Sequence, residues 1–267
     1  MGWGRLVRFS LAGLTGHFAF AASPLREAPS PGAAPVNQLV VSGNACGPAA
    51  LLNAFRSGNA DWQRASNTVA AANDRESILR LIREIGMRPS KNMHGRPRWS
   101  RNGVSVADLR DIAQEMTTGQ FLPLISDEVF FLMPGETPDK LLNRVWQRMD
   151  TSLAKGLPPV ISLRRYALRK QKNAPAQWIV LAAHFVTITA VPRTLGANPR
   201  SFPVHYIDPW GGKRCEGVIT IPASPLLADK NGQSSCLATD FPQTSVGRKL
   251  AREGEITALA VCAAIGR

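Results

Sequence analysis

The sequence predicts an α+β fold of two lobes, a helical half followed by a strand-rich half. Apolar residues recur at helical spacing in several segments between residues 46 and 155, and beyond Pro158-Pro159 the pattern changes to short strand-like runs. Composition sets the class: 44% of the 267 residues are hydrophobic and 19% charged, enough apolar mass to bury a core and too much for a disordered chain. Gly and Pro are frequent but not periodic, which excludes a collagen-like chain, and no internal repeat suggests a solenoid.

The N-terminus reads as an address. Arg5 and Arg8 precede a short apolar run over 9–22, and Ala19-Phe20-Ala21 has the small-x-small shape of a signal cleavage site. Residues 1–21 are therefore expected to be a secretory signal, giving a secreted or periplasmic protein. The run is too short for a bilayer span, and no other stretch approaches the roughly 20 apolar residues such a span needs, so no membrane anchor is expected after processing. Residues 22–36, rich in Pro and Ala, read as a flexible leader, and 37–267 as one domain.

Within that domain, Pro48 fits a first helical turn, and Ala49, Leu52 and Phe55 carry a helix over 46–56. Ile78, Leu81, Ile82 and Ile85 mark a second helix over 75–86, with Gly86 as its stop. Ser105 caps a third over 106–116, and Thr137 a fourth over 138–155. The expected strands are 160–163, 178–191, 202–207, 217–221 and 256–264. The second of these is apolar on both alternating faces and reads as a buried central strand.

The formal net charge is +13, falling by two when Arg5 and Arg8 leave with the signal. Such a surface favours anionic surroundings, cell-envelope polymers among them. Nucleic acid is the usual rival partner. The clustered cations (Arg96, Arg98, Arg101; Arg164, Arg165, Arg169, Lys170, Lys172) carry neither interleaved aromatics nor a groove-reading motif, so they read as solvated faces and no nucleic-acid partner is expected. No Cys/His/Asp spacing resembles a zinc site and no glycine-rich loop opens a helix after a strand, so no metal or nucleotide cofactor is expected.

The chemistry concentrates in three places. Cys46 opens a helix in Asn44-Ala45-Cys46-Gly47-Pro48, where free N–H groups and the positive end of the helix dipole favour thiolate. Gly47 there would let a substrate backbone come close. His184 lies in the strongest strand, and Asp208 ends the next one, in Asp208-Pro209-Trp210-Gly211-Gly212. A hairpin across Thr194–Asn198 that paired Val186 with Tyr206, Ile188 with Val204 and Ala190 with Phe202 would set His184 opposite Asp208, about 5 Å apart at Cβ. Pro199 and Pro203 require the second strand of that hairpin to be an edge. His205 points to the other face, and His94 sits in a cationic loop.

These residues resemble the papain-like cysteine peptidases, and most nearly the branch of bacteriocin-leader peptidases (peptidase family thirty-nine) and its exported relatives. The resemblance rests on Gln38, the start Cys46-Gly47-Pro48-Ala49, Ala183-His184-Phe185-Val186, and Tyr206-Ile207-Asp208-Pro209-Trp210, in that chain order. His184 follows Cys46 by 138 residues, inside the roughly 130–150 of papain-type enzymes. It implies a papain-like two-lobed fold whose helical lobe carries the nucleophile and whose antiparallel sheet carries the base. It implies a thiol hydrolase cleaving a peptide or isopeptide bond of a peptide or protein substrate. Cys46 is then the nucleophile, His184 the acid and base, and Asp208 the residue that orients the ring. Gln38 and the Cys46 N–H hold the oxyanion. Gln38 lies eight residues before Cys46, farther than the family usually places it, and Asn44 is the alternative donor. Trp210 either shields the His184–Asp208 bond from water or simply packs.

Of the remaining cysteines, 215, 236 and 262, one pair and one buried thiol is the simplest count in an oxidising compartment. Cys215–Cys236 and Cys236–Cys262 are both open to that pair, and a bridge to Cys46 would end the catalytic reading. Two other functions stay open. One is acyl transfer on the same triad, as in transglutaminase-like enzymes or phytochelatin synthases. The other is a catalytically silent basic module that binds the envelope.

Overall fold

The first described segment is one expected to be loose. The computed structural model describes residues 24–171, 174–228, 232 and 234–267, so the expected signal, 1–21, lies outside the described residues. Strand β1 (Leu25–Glu27) pairs antiparallel with residues 190–192. Ala28 and Val36 are buried, and Asn53 holds the Val36 backbone, accepting from its N–H at 2.7 Å. The flexible-leader reading is therefore corrected from residue 25 onward. Few alternating apolar residues mark this segment, because its hold on the domain is mostly backbone hydrogen bonding and two small apolar anchors.

The helices follow their caps. After a short 3₁₀ turn at Gln38–Val40 come α1 (Cys46–Ser57), α2 (Ala60–Asn67) and α3 (Asp74–Leu81), the last running on through a π turn at Ile82–Gly86. The small hairpin β2 (Trp99–Ser100) and β3 (Gly103–Val104) precedes α4 (Val106–Met116); β4 (Ser126–Val129) precedes α5 (Pro138–Ala154). Ser105 and Thr137 cap α4 and α5 as expected, accepting from the N–H of Asp108 and Lys140. Helix α2 is the one the apolar pattern does not reveal: in eight residues it buries only Trp62 and Ala65.

The remaining strands are β5 (Val160–Gln171), β6 (Ala174–Pro192), β7 (Ser201–Asp208), β8 (Lys213–Thr220), β9 (Leu237–Asp240) and β10 (Thr257–Gly266). Their antiparallel pairings close on themselves in the order β6–β5–β10–β9–β8–β7–β6, with β1 added beside β6 and β4 beside β10. Closure abolishes free edges in this ring. Strand β7 is therefore not the edge its prolines suggested. Pro203 lies beyond the last β6 pair, Ala190 with His205, where β7 keeps only β8 as a neighbour.

Two main buried clusters flank β6. Phe185 joins Leu52, Phe55, Leu109 and Ile112 on the side of α1 and α4; Val186 and Ile188 join Leu142, Val145, Tyr206 and Val261 on the side of α5 and the ring. Thr187 Oγ1 donates to the Ala50 carbonyl at 2.7 Å, fixing α1 along β6. The molecule is thus α+β, mixed helix and antiparallel sheet.

The basic clusters are not simply solvated faces. Arg98 is buried and bonded to Glu115, Arg165 is buried and donates to the Val246 carbonyl, and Arg169 pairs with Glu255. Side-chain length lets each cation reach a carboxylate or carbonyl far away in the chain, which a local charge count does not register.

Replacing Asn53 by Ala leaves the buried Val36 N–H without its acceptor. Urea unfolding is expected to show a loss of about 1–3 kcal/mol; an unchanged midpoint would show that this contact does not hold the N-terminal segment.

Candidate active site

Helix α1 begins without a side-chain cap: Ala45 precedes it, no acid occupies its first turn, and Pro48 has no N–H to offer. The N–H of Gly47 is left to the Cys46 sulfur, which it meets as a hydrogen-bond donor. Gly47 serves packing rather than substrate approach. A Cβ there would stand 2.5 Å from Val104 Cγ1 and 3.3 Å from Leu109 Cδ2, so its absence lets α1 seat against β3 and α4.

Strand pairing supplies the other two groups. The β6–β7 register pairs Thr187 with Ile207 and Ile188 with Tyr206, two residues from the expected one. An even shift keeps every side chain on its face. Asp208 therefore lies diagonal to His184 rather than opposite it, and the two still meet: His184 Nε2 lies 2.7 Å from Asp208 Oδ1. With Nε2 so engaged, Nδ1 is the ring nitrogen left to interact with the Cys46 thiol. Cys46, His184 and Asp208 are thus brought together, each less than a tenth exposed.

The charges in this cluster support one another. Burial alone would push the Cys46 thiol up; the hydrogen bond and positive charge of His184, with the N–H groups of Phe185 and Gly47, outweigh it and bring the thiol below its ordinary range. Burial likewise works against the His184 cation, but hydrogen bonds to Asp208 and Cys46 and their negative charges raise its pKa to about 9. Against its own burial, Asp208 is held below the usual carboxylate range by the His184 bond and charge, the Trp210 N–H and the Thr244 hydroxyl. Burial pushes the Cys215, Cys236 and Cys262 thiols up, Cys236 to about 12, so Cys46 alone of the four cysteines is lowered.

All four cysteines are free thiols, which corrects the expected bridge. Cys215 sits in the cluster around Tyr206, whereas Cys236 and Cys262 share a separate one with Tyr166. Separation in sequence gave no means of telling which cluster each sulfur would join.

Gln38 comes to the same neighbourhood: its N–H donates to the Pro209 carbonyl at 2.8 Å, next to Asp208. The residue is 3% exposed, and its Oε1 is buried with no hydrogen-bond partner among the described residues. The side chain of Asn44 is exposed, while its backbone carbonyl accepts from Trp99 Nε1 at 2.9 Å. Trp210 is 49% exposed; its bond to the site comes from the main chain, where the N–H donates to Asp208 Oδ1 at 2.8 Å.

The sequence gave no hint of Thr244. Its Oγ1 donates to Asp208 Oδ2 at 2.9 Å and stands 3.1 Å from the Tyr206 hydroxyl, fully buried. A threonine between Gln243 and Ser245 carries no pattern of its own. Neither His94 nor His205 joins the cluster; the latter faces Glu216, 3.7 Å away, across β7 and β8.

Two clefts, of about 350 and 420 Å³, are lined by none of Cys46, His184 and Asp208. One is framed by Glu27, His205 and Glu216 and the other by Asp139, Trp146 and Pro199, so chemistry rather than cavity size singles out the Cys46 site. Among the described residues no three His, Cys, Asp or Glu side chains gather closely enough to hold a metal ion. No protein-family model matches the chain, and no curated protein matches it.

A lowered thiol beside a raised imidazole makes a thiolate–imidazolium pair that persists from below the ordinary thiol range up to about pH 9. Iodoacetamide should therefore alkylate Cys46 faster than the other cysteines at a pH below the ordinary thiol range. His184→Ala should return Cys46 to the rise of an ordinary thiol; a wild-type rate that tracks a simple thiol titration near pH 9 would contradict the ion pair.

Proposed function

We propose that the protein is a cysteine-type hydrolase acting on a peptide or isopeptide bond, built as a papain-like two-lobed enzyme in which the helical part supplies Cys46 and the antiparallel part supplies His184 and Asp208. The observation that carries this reading is the buried cluster in which the His184 ring meets Asp208 at 2.7 Å and interacts with the Cys46 thiol. A structural cysteine in an apolar cluster has no need of a charged partner, and the three other thiols, with raised pKa values, behave accordingly.

In this reading the Cys46 thiolate attacks the carbonyl carbon, and the carbonyl oxygen takes the charge. The N–H groups at the start of α1 and the Gln38 amide stabilise that oxyanion, a contribution of about 10²–10³ in rate for each donor of this kind. His184, protonated through its Nδ1, hands that proton to the departing amine and so releases it from the acyl-enzyme. The imidazole then takes a proton from water as the water attacks the thioester, and the thiolate leaves. Asp208 keeps the ring oriented and its charge compensated throughout. Leu39, Val40 and Trp210, all partly exposed on the segments that the Gln38–Pro209 bond joins, offer apolar contact to a substrate side chain. Export to the periplasm or beyond, directed by residues 1–21, and attraction of the basic surface to anionic envelope polymers belong to the same proposal.

Cys46→Ser is expected to bring turnover of a fluorogenic peptide library to background while the protein stays folded, its melting temperature lowered by no more than about 5 °C by loss of the thiolate partner of His184 (about 1–2 kcal/mol at this size). A large drop in melting temperature would mark Cys46 as structural instead. An added amine nucleophile separates hydrolysis from acyl transfer: product diverted wholly to the amide would favour the transferase. Absence of any turnover, with Cys46 no more reactive than Cys215, would favour a silent binding module.

A further inference from the structure

We propose that Thr244 is a positioning residue of this site, holding Asp208 by its second carboxylate oxygen, and that Tyr206 fixes the direction of that hold. The inference rests on the functional reading above and adds two side chains to it.

The direction of the bonds follows from proton count. A threonine hydroxyl has one hydrogen, and an ionised carboxylate can only accept. The Thr244 hydrogen must therefore go to Asp208 Oδ2, 2.9 Å away. The Tyr206 hydroxyl, 3.1 Å from Thr244 Oγ1, must then be the donor to it. Burial keeps that phenol protonated, as this role requires. The result is a one-way chain, Tyr206 to Thr244 to Asp208, in which each bond polarises the next.

The other oxygen of Asp208 is already committed. Oδ1 meets His184 Nε2 at 2.7 Å and the Trp210 N–H at 2.8 Å. With both oxygens bonded, the carboxylate plane cannot turn about its terminal torsion, and the imidazole it faces cannot turn either. Without the hydroxyl, Oδ2 is buried and unpaired, a costly state that carboxylate rotation would relieve at the expense of the His184 bond.

The fold builds this contact deliberately. The Thr244 N–H donates to the Phe241 carbonyl, closing a turn just after β9. The Phe241 ring stacks on Tyr206, centroids 4.3 Å apart and planes 15° from parallel. Gly217 on β8 leaves room for that ring, since a Cβ at 217 would run into it. The segment after β9 is thereby locked onto β7 at the point where Asp208 ends the strand.

The groups facing Asp208 are His184 from β6, with Cys46 of α1 beyond it, Cys215 and Lys213 from β8, and Tyr206 on its own strand. Burial keeps Cys215 a neutral thiol, and Lys213 is exposed. Of these only Tyr206 touches Thr244 directly, and burial keeps its phenol neutral with or without that bond, so a change in the pH profile reports the lost hydroxyl.

The test is the pH dependence of Cys46 alkylation by iodoacetamide in the whole chain, with folding followed by circular dichroism. Thr244→Val keeps the shape and removes the donor. The upper limit of the thiolate–imidazolium window, at about pH 9 in the parent, should fall by about one unit, the effect of one hydrogen bond to a charged group. Thr244→Ser should restore the parent profile. Tyr206→Phe should give a smaller shift in the same direction, and it supplies the answer should the valine variant not fold. A parent profile with a depressed thiolate that both Thr244→Val and Tyr206→Phe leave unmoved would overturn the positioning role alone. A parent profile with no thiolate below the ordinary range would overturn the functional reading with it.

Discussion

A buried imidazolium is tenable in this protein only because a buried carboxylate faces it. Removing either ion from water is unfavourable, and the pair offsets that by direct hydrogen bonding in a region of low dielectric. Asp208 in turn is satisfied at both oxygens, by His184, the Trp210 N–H and Thr244. The thiolate at Cys46 depends on the imidazolium, and so on everything that holds Asp208. The sign of the pH dependence follows. The raised pKa of His184 contributes stability at lower pH that is lost as pH rises past about 9, whereas the lowered values of Cys46 and Asp208 contribute stability that is lost as pH falls through them. The assembled site is most stable between those limits, which is also where Cys46 is charged.

The scaffold serves that cluster by holding three elements of different kinds in fixed relation. Helix α1 is pinned on one side by Gly47 against Val104 and Leu109 and along β6 by the Thr187–Ala50 bond. Strands β6 and β7 belong to a closed antiparallel ring, whose register cannot slip at one seam without slipping at all. The N-terminal segment adds β1 to this ring and ties Val36 to Asn53 of α1, two positions before the turn that brings Gln38 to Pro209.

Ser105 and Thr137, read as caps, do cap α4 and α5, because capping is decided within one helical turn and the sequence carries all of it. The long apolar run around His184 became the longest strand for the same local reason. The hairpin was less legible. Its faces could be assigned but not its register, because a run apolar on both sides offers no penalty against a shift of two residues. The reading of Gly47 as room for substrate failed on packing that comes from residues more than fifty positions away.

What the sequence determined by itself was the chemical inventory and its local setting. It showed a cysteine at a helix start, a histidine inside an apolar strand, an aspartate ending the next strand, and the helical-then-extended order of the chain. The tertiary structure alone decided that these three meet, that all four thiols stay unbridged, that Arg98 and Arg165 are buried rather than solvated, and that Thr244 supports Asp208 from 36 residues away. The physical reason is one of range. Helix and strand propensity act between neighbours in the chain, whereas a hydrogen bond between distant side chains depends on every ladder register and turn that lies between them.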